Sequence, residues 1–114
     1  MTDCLFCKIV LGEIPADIVH QDEDAVAFRD TQPQAPVHVL VVPRKHITGF
    51  SDATTGDTAL LGAVCAMAAR VAQIEGIEKT GYRCVINSGP DANQTVPHLH
   101  LHVLGGRRMG WPPG

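Results

Sequence analysis

His98-Leu99-His100-Leu101-His102-Val103-Leu104 alternates imidazoles with aliphatic side chains. Successive side chains of a β-strand point to opposite faces, so this spelling puts His98, His100 and His102 on one face and Leu99, Leu101 and Val103 on the other. The aliphatic set can anchor the strand under a helix, and the three imidazoles are then displayed together at an opening. Pro97 stands immediately before; it has no N–H to donate, so pairing begins at His98 or the position lies at an edge. Working outward, Tyr82 to Asn87 reads as another strand and Ser88 to Thr95 as a polar loop. Gly105 to Gly114 reads as an irregular tail with the only Trp.

Further upstream, Leu60, Ala63, Val64, Met67, Val71 and Ile74 recur at three- and four-residue steps, which predicts one long helix over about Asp57 to Glu75 with Gly76 as its stop. Its other side carries Gly62, Cys65, Ala66, Ala68 and Ala69, small rather than charged, so cover on more than one side is expected. Val37 to Val42 is β-branched, bounded by Pro36 and Pro43, and reads as a strong strand. Ile18 to His20 and Ala25 to Phe28 flank the acidic turn Asp22-Glu23-Asp24 as a hairpin. Leu5 to Leu11 reads as a short N-terminal helix ended by Gly12 and Pro15. The order predicts an α+β fold: a mostly antiparallel five-stranded sheet with the long helix packed on one face.

The chain has 114 residues, 45 % of them hydrophobic and only 4 % aromatic, which suits one domain, residues 1–114, with an aliphatic core. A net charge of −3 argues against a general nucleic-acid binder, though a small anionic ligand needs only local donors. Met1-Thr2-Asp3-Cys4 lacks the basic start and apolar run of a leader, and the apolar stretch Ala59 to Ala69 is shorter than a membrane span of ~20 residues. A soluble cytoplasmic protein without a membrane partner is expected. Of four cysteines, Cys65 and Cys84 sit singly in apolar segments and are expected in the core. Cys4 and Cys7 form a Cys-x-x-Cys, more often a metal or redox site than a disulfide in a reducing compartment.

Three alternating imidazoles admit three readings: a polar strand face, a three-histidine zinc site, or nucleophilic catalysis at phosphorus. Histidine is not a residue that strand surfaces collect, and neighbouring side chains on a flat strand diverge too far to share one ion easily. A neutral imidazole nitrogen attacks phosphorus near pH 7 and leaves again readily, dividing one hard displacement into two easier ones. A second imidazole can bind the phosphate oxygens as charge develops.

His98 to Leu104 resembles the motif of the histidine-triad (HIT) superfamily, His-φ-His-φ-His-φ-φ with φ apolar. Ile14-Pro15-Ala16, Phe28-Arg29-Asp30, Pro33-Gln34-Ala35-Pro36, Val42-Pro43-Arg44-Lys45-His46 and the closing Leu104-Gly105-Gly106-Arg107-Arg108-Met109 through Trp111-Pro112-Pro113-Gly114 are similar to its Hint branch, the histidine-triad nucleotide-binding proteins. The resemblance implies a HIT-like fold and a homodimer whose sheets join, with residues 105–114 near the dimer's active site. It implies a purine nucleoside phosphoramidase that cleaves P–N bonds of AMP-NH2 or AMP-lysine type through a nucleotidyl-histidine on His100, with no cofactor in the chemistry. By position it implies His102 and Asn87 on the phosphate side, donors from Asn93, Gln94 and Thr95, ribose held by Asp30 with Thr31 beside it, and His38 as a further histidine orienting the triad. Ile18, Phe28 and Leu40 are candidates for the base wall. Asn93 stands where a glycine is usual in that loop.

Cys4 and Cys7 can share a tetrahedral Zn2+ if two more ligands are supplied, and His46 and His98 stand at suitable places. Bacterial relatives with this Cys-x-x-Cys look like zinc proteins with that Cys2His2 set. The ion would then be structural, and His98 would not take part in the chemistry. A thioredoxin-like redox pair should follow a strand, and none precedes Cys4; plain packing is the other reading. Other superfamily chemistry, a dinucleoside polyphosphate hydrolase or nucleotidyl transferase, is the enzymatic alternative, and a non-catalytic nucleotide-binding module the alternative of another class.

Overall fold

The computed structural model describes residues 3–114; Met1 and Thr2, which belong to the stretch considered for a leader, lie outside the described residues. β1 (Ile18–Gln21) and β2 (Ala25–Arg29) form the acidic hairpin. Asp22 closes its turn by accepting from the backbone N–H of Asp24 and Ala25 at 2.8 and 2.9 Å. β3 (Val37–Pro43), β4 (Tyr82–Ile86) and β5 (Leu101–Gly105) complete one sheet in the order β1-β2-β3-β5-β4, antiparallel at every neighbouring pair.

The strands' two-residue period sorts their side chains into two cores. Ala25, Ala27, Val39, Val41, Leu101 and Val103 bury against Val64, Met67, Ala68, Val71 and Ala72 of α2 (Thr58–Ile74). Val26, Phe28, Leu40 and Val42 alternate to the other face, under Phe6 of α1 (Leu5–Val10). α2 starts where the Asp57 carboxylate accepts from the Thr54 N–H at 2.9 Å and from Lys45 Nζ at 2.7 Å. It ends in a Schellman turn: Gly76, at φ +73°, donates to the Gln73 carbonyl, and Ile77 donates to that of Ala72. Two single 3-10 turns, Phe50–Asp52 and Thr55–Asp57, are not signalled by periodicity.

Three expectations are corrected. By length and composition Thr55–Ile74 could cross a membrane, so the longer stretch counts, not Ala59–Ala69 alone; its buried side chains pack on the sheet, as those of a core helix do. Cys65 and Cys84 are exposed rather than in the core. Cys65 lies with Gly62, Ala66 and Ala69 on the exposed side of α2, and Cys84 on the edge strand β4, which pairs with β5 alone among the described residues. Finally, β5 begins at Leu101 and not at His98. Pro97 is the cause: the His98 N–H turns back onto the Val96 carbonyl at 2.8 Å, and the Leu99 N–H goes to the Ile47 carbonyl at 2.6 Å. His98 and His100 therefore belong to the segment entering the strand, and only His102 sits in the ladder.

Candidate active site and metal centre

A cavity of about 800 Å3 opens on the α1 side of the sheet. One wall is apolar, with Leu5, Phe6 and Ile9 of α1, then Ile14, Phe28 and Leu40. The other is polar, with Asp30, Thr31, Asn87, Asn93, Thr95, His38, His100 and His102. Ile18 is not in the lining and is half-exposed at the sheet edge. Leu5, Phe6, Ile9 and Ile14 escape sequence reasoning, because a short helix without strong periodicity does not announce which side it turns to a sheet.

The imidazoles are ordered by their partners. His100 is 4 % exposed, and its Nδ1 donates to the His98 carbonyl at 2.8 Å. A backbone carbonyl can only accept, so in the neutral ring the proton sits on Nδ1 and Nε2 keeps its lone pair. The neighbouring pair is fixed from the opposite end. The Gln34 N–H donates to His38 Nδ1 at 3.0 Å, which leaves the proton of the neutral ring on His38 Nε2. That N–H points to His102 Nδ1 at 2.9 Å, with an Asp30 carboxylate oxygen at 3.4 Å. His102 must then carry its proton on Nε2, a buried atom with no hydrogen-bond partner among the described residues. Burial lowers the pKa of His38 against the pull of Asp30. It lowers His102 to about 4, helped by His100 and His38. Both rings are neutral near pH 7, and His102 is a desolvated donor on the cavity wall.

The loop before the triad is held by Gln94, whose amide is fully used. Its Oε1 accepts from the Gly89 N–H at 3.0 Å, and its Nε2 donates to the carbonyls of Thr48 at 2.7 Å and Val96 at 3.1 Å. Gln94 is thus a loop tie whose side chain is not in the cavity lining, whereas Asn93, at φ +64°, and Thr95 are. Asn93 occupies the left-handed region that asparagine tolerates better than most residues, so the usual glycine is not required there.

Cys4, Cys7, His46 and His98 converge at the α1 N-terminus, their ligating atoms all within 4.8 Å of one another. His98 Nδ1 lies 3.3 Å from Cys4 Sγ, 3.5 Å from Cys7 Sγ and 3.2 Å from His46 Nδ1; Cys7 Sγ is 3.3 Å from His46 Nδ1. The fully buried His98 ring donates through Nε2 to the Pro43 carbonyl at 2.9 Å, so its Nδ1 brings a lone pair to this convergence, not a proton. A tetrahedral zinc with Zn–S of about 2.3 Å and Zn–N of about 2.0–2.1 Å has edges of about 3.3–3.8 Å between its ligands. The cluster has that size, and the Pro43 carbonyl is the outer partner that a metal-bound histidine ordinarily has. His98 therefore faces the cluster and His100 and His102 face the cavity, although all three follow one alternating pattern.

A family model described as the HIT domain matches residues 11–109. The fold is similar to that of a HIT family hydrolase from Legionella pneumophila, with a TM-score of 0.96 at 50 % identity over 98 % of this chain and 100 % of that one. A histidine triad nucleotide-binding protein from Candida albicans has a TM-score of 0.83 at 28 % identity, covering 96 % of this chain and 83 % of that one. A 14 kDa zinc-binding protein of Zea mays is 47 % identical over 112 residues, 96 % of this chain and 87 % of the maize one. The chain belongs to the HIT domain family.

Proposed function

We propose that this protein hydrolyses purine nucleoside phosphoramidates through a nucleotidyl-histidine intermediate. The observation that carries the reading is the Nδ1–H of His100 tied to the His98 carbonyl at 2.8 Å, which reserves Nε2 for attack. The apolar wall suits a purine. Asp30, with lone pairs beyond its bonds to the Gln32 N–H and His38, suits the ribose hydroxyls. The α-phosphate is then placed between His100, the Nε2–H of His102, Asn87 and Thr95. His100 Nε2 forms a bond to phosphorus as the P–N bond of the substrate breaks, and the amine departs with a proton taken from solvent, which the water of the second step gives back. Water then attacks phosphorus, releases the nucleoside monophosphate and returns His100 to its neutral form. The neutral Nε2–H donor of His102 stabilises the oxyanion in both steps.

The four-residue cluster fits zinc, and the zinc-binding name of the maize relative supports that occupant. Four protein ligands leave no open position, so the ion would serve structure, pinning α1 to the end of the sheet. The edge of β4, unpaired among the described residues, and the small-residue side of α2 fit a homodimer with joined sheets. The tail 105–114 would then approach the second site.

The test is His100→Asn with an AMP-lysine-type phosphoramidate. Turnover should fall by at least about a thousandfold while nucleoside monophosphate still binds. A folded variant with undiminished turnover would overturn the reading. Diadenosine polyphosphates in the same assay separate the polyphosphatase alternative, and trapping of a covalent adenylyl-protein separates a pure binder.

A further inference from the structure

The cluster and the cavity share more than a wall. His98 holds the cluster through its ring and the nucleophile through its backbone: Nδ1 converges with Cys4, Cys7 and His46, while its carbonyl accepts the Nδ1–H of His100. Phe6 lies between the two cysteines in α1 and sets its ring edge-on to His98 at 6.0 Å and to His100 at 5.1 Å. The third link is Ile47, next to His46, whose carbonyl receives the Leu99 N–H. Sheet pairing begins only at Leu101, so no ladder holds the backbone that aims His100. What holds it is the chain at His98, itself a cluster ligand, and at Phe6 and Ile47, each next to one.

We infer that the Cys4–Cys7–His46–His98 cluster, once it holds a zinc-like ion, aims the nucleophile, with His98 the positioning residue that transmits the ion's geometry to the His100 ring. The inference rests on the proposed reaction for its kinetic arm only. Without the ion, only the S–H and N–H protons of the four groups are left to pair them, bonds weaker and less directional than four ligands on one ion, and the His98 peptide loses its firmest anchor. The carbonyl then no longer dictates which nitrogen of His100 carries the proton, and attack requires the nitrogen facing the cavity to be bare. A misplacement of about 1 Å in such a group can cost on the order of a hundredfold in rate.

The test compares the metal-loaded protein with chelator-treated protein and with Cys7→Ser and His46→Asn; the second removes an exposed ligand and disturbs folding least. Val64→Ala, in the α2 core, serves as a control of lowered stability remote from the cluster. Elemental analysis reports zinc, and 15N spectra of histidine-labelled protein report the His100 tautomer. In the loaded protein His100 should show a protonated Nδ1 and a bare Nε2. In the depleted forms it should average over both tautomers, with kcat lowered about tenfold to a hundredfold, KM changed less than about threefold, and recovery on adding Zn2+ to the chelated protein. An unchanged His100 signature in folded, zinc-free protein would overturn the inference, as would the same change in Val64→Ala. If the loaded protein showed the single tautomer and the depleted forms the average, but no form cleaved phosphoramidate, the reaction assignment would fail and the inference would stand.

Discussion

The two faces of the sheet are built by the same strands and do opposite work. Val39 and Leu40 are neighbours in β3, and Leu101 and His102 are neighbours in β5. One of each pair packs under α2, and the other looks toward the cavity. The α2 face is closed by a helix of 17 residues with aliphatic and small side chains. The α1 face is closed by a helix of 6 residues, and what that helix leaves uncovered is the cavity. The first face can be optimised for packing alone. The second holds buried imidazoles whose hydrogen bonds must leave one nitrogen bare and another N–H unmatched, arrangements that a core selected for stability would remove. The larger core and the candidate reactive groups are therefore sorted by residue parity along a single strand, with a second, smaller core beside the cavity.

That separation can be broken most forcefully at His100, where His100→Asn should abolish turnover with little change in melting. The counterpart on the helix face is Met67→Ala. It should lower unfolding free energy by about 2–5 kcal/mol, in a denaturant titration, and leave kcat of the folded enzyme unchanged. A matching loss of kcat would show that the two faces are coupled. A third measurement uses pH. In the unfolded chain His102 titrates near 6.5, whereas in the fold, through burial and then His100 and His38, it titrates near 4. Between these values the unfolded chain binds more protons, so stability rises with pH there. The contribution is complete above about 6.5 and is lost as pH falls through 4, amounting to roughly 2–3 kcal/mol. His102→Gln should flatten that part of the stability curve; an unaltered curve would assign acid sensitivity to other groups. The smallest effect is expected at the loop tie. Gln94→Ala should cost about 1–2 kcal/mol and raise KM more than it lowers kcat, since it frees the segment carrying Asn93 and Thr95 without touching the nucleophile.

Much of this comparison is legible in the order of residues. The β-branched run at Val37–Val42, the three-four spacing from Leu60 to Ile74 and the alternation at His98–Leu104 each follow from backbone geometry alone. They place the sheet, the long helix and the distinct environments of imidazole and leucine. The departures have local causes. Pro97 turns the His98 N–H back on Val96, a contact two residues long that periodicity does not register, so alternation alone starts the strand at His98. Cys65 and Cys84 look like core residues because small apolar neighbours surround them in sequence, yet the side of α2 that faces the sheet and the strand that takes the sheet's edge are both set by the assembled fold. The resemblance marks Asn93, Gln94 and Thr95 as a donor loop, but position alone does not say that the Gln94 side chain ties the loop to Thr48, Gly89 and Val96 rather than lining the cavity. The convergence at Cys4, Cys7, His46 and His98 is within reach because thiolate and imidazole pairs have few other reasons to stand at such positions. Its tie to His100 through a backbone carbonyl is not, since every residue has a carbonyl.

The Nε2–H of His102 has a consequence for selectivity. The protein alone offers that N–H no acceptor among the described residues, and an unmatched buried donor costs on the order of 1–3 kcal/mol. In the proposed reaction a phosphorylated ligand would remove this cost as it docks, whereas a nucleoside of identical base and sugar would leave it in place. Under the proposed function, preference for the charged ligand over its dephosphorylated counterpart would then rest in part on a neutral donor kept out of water.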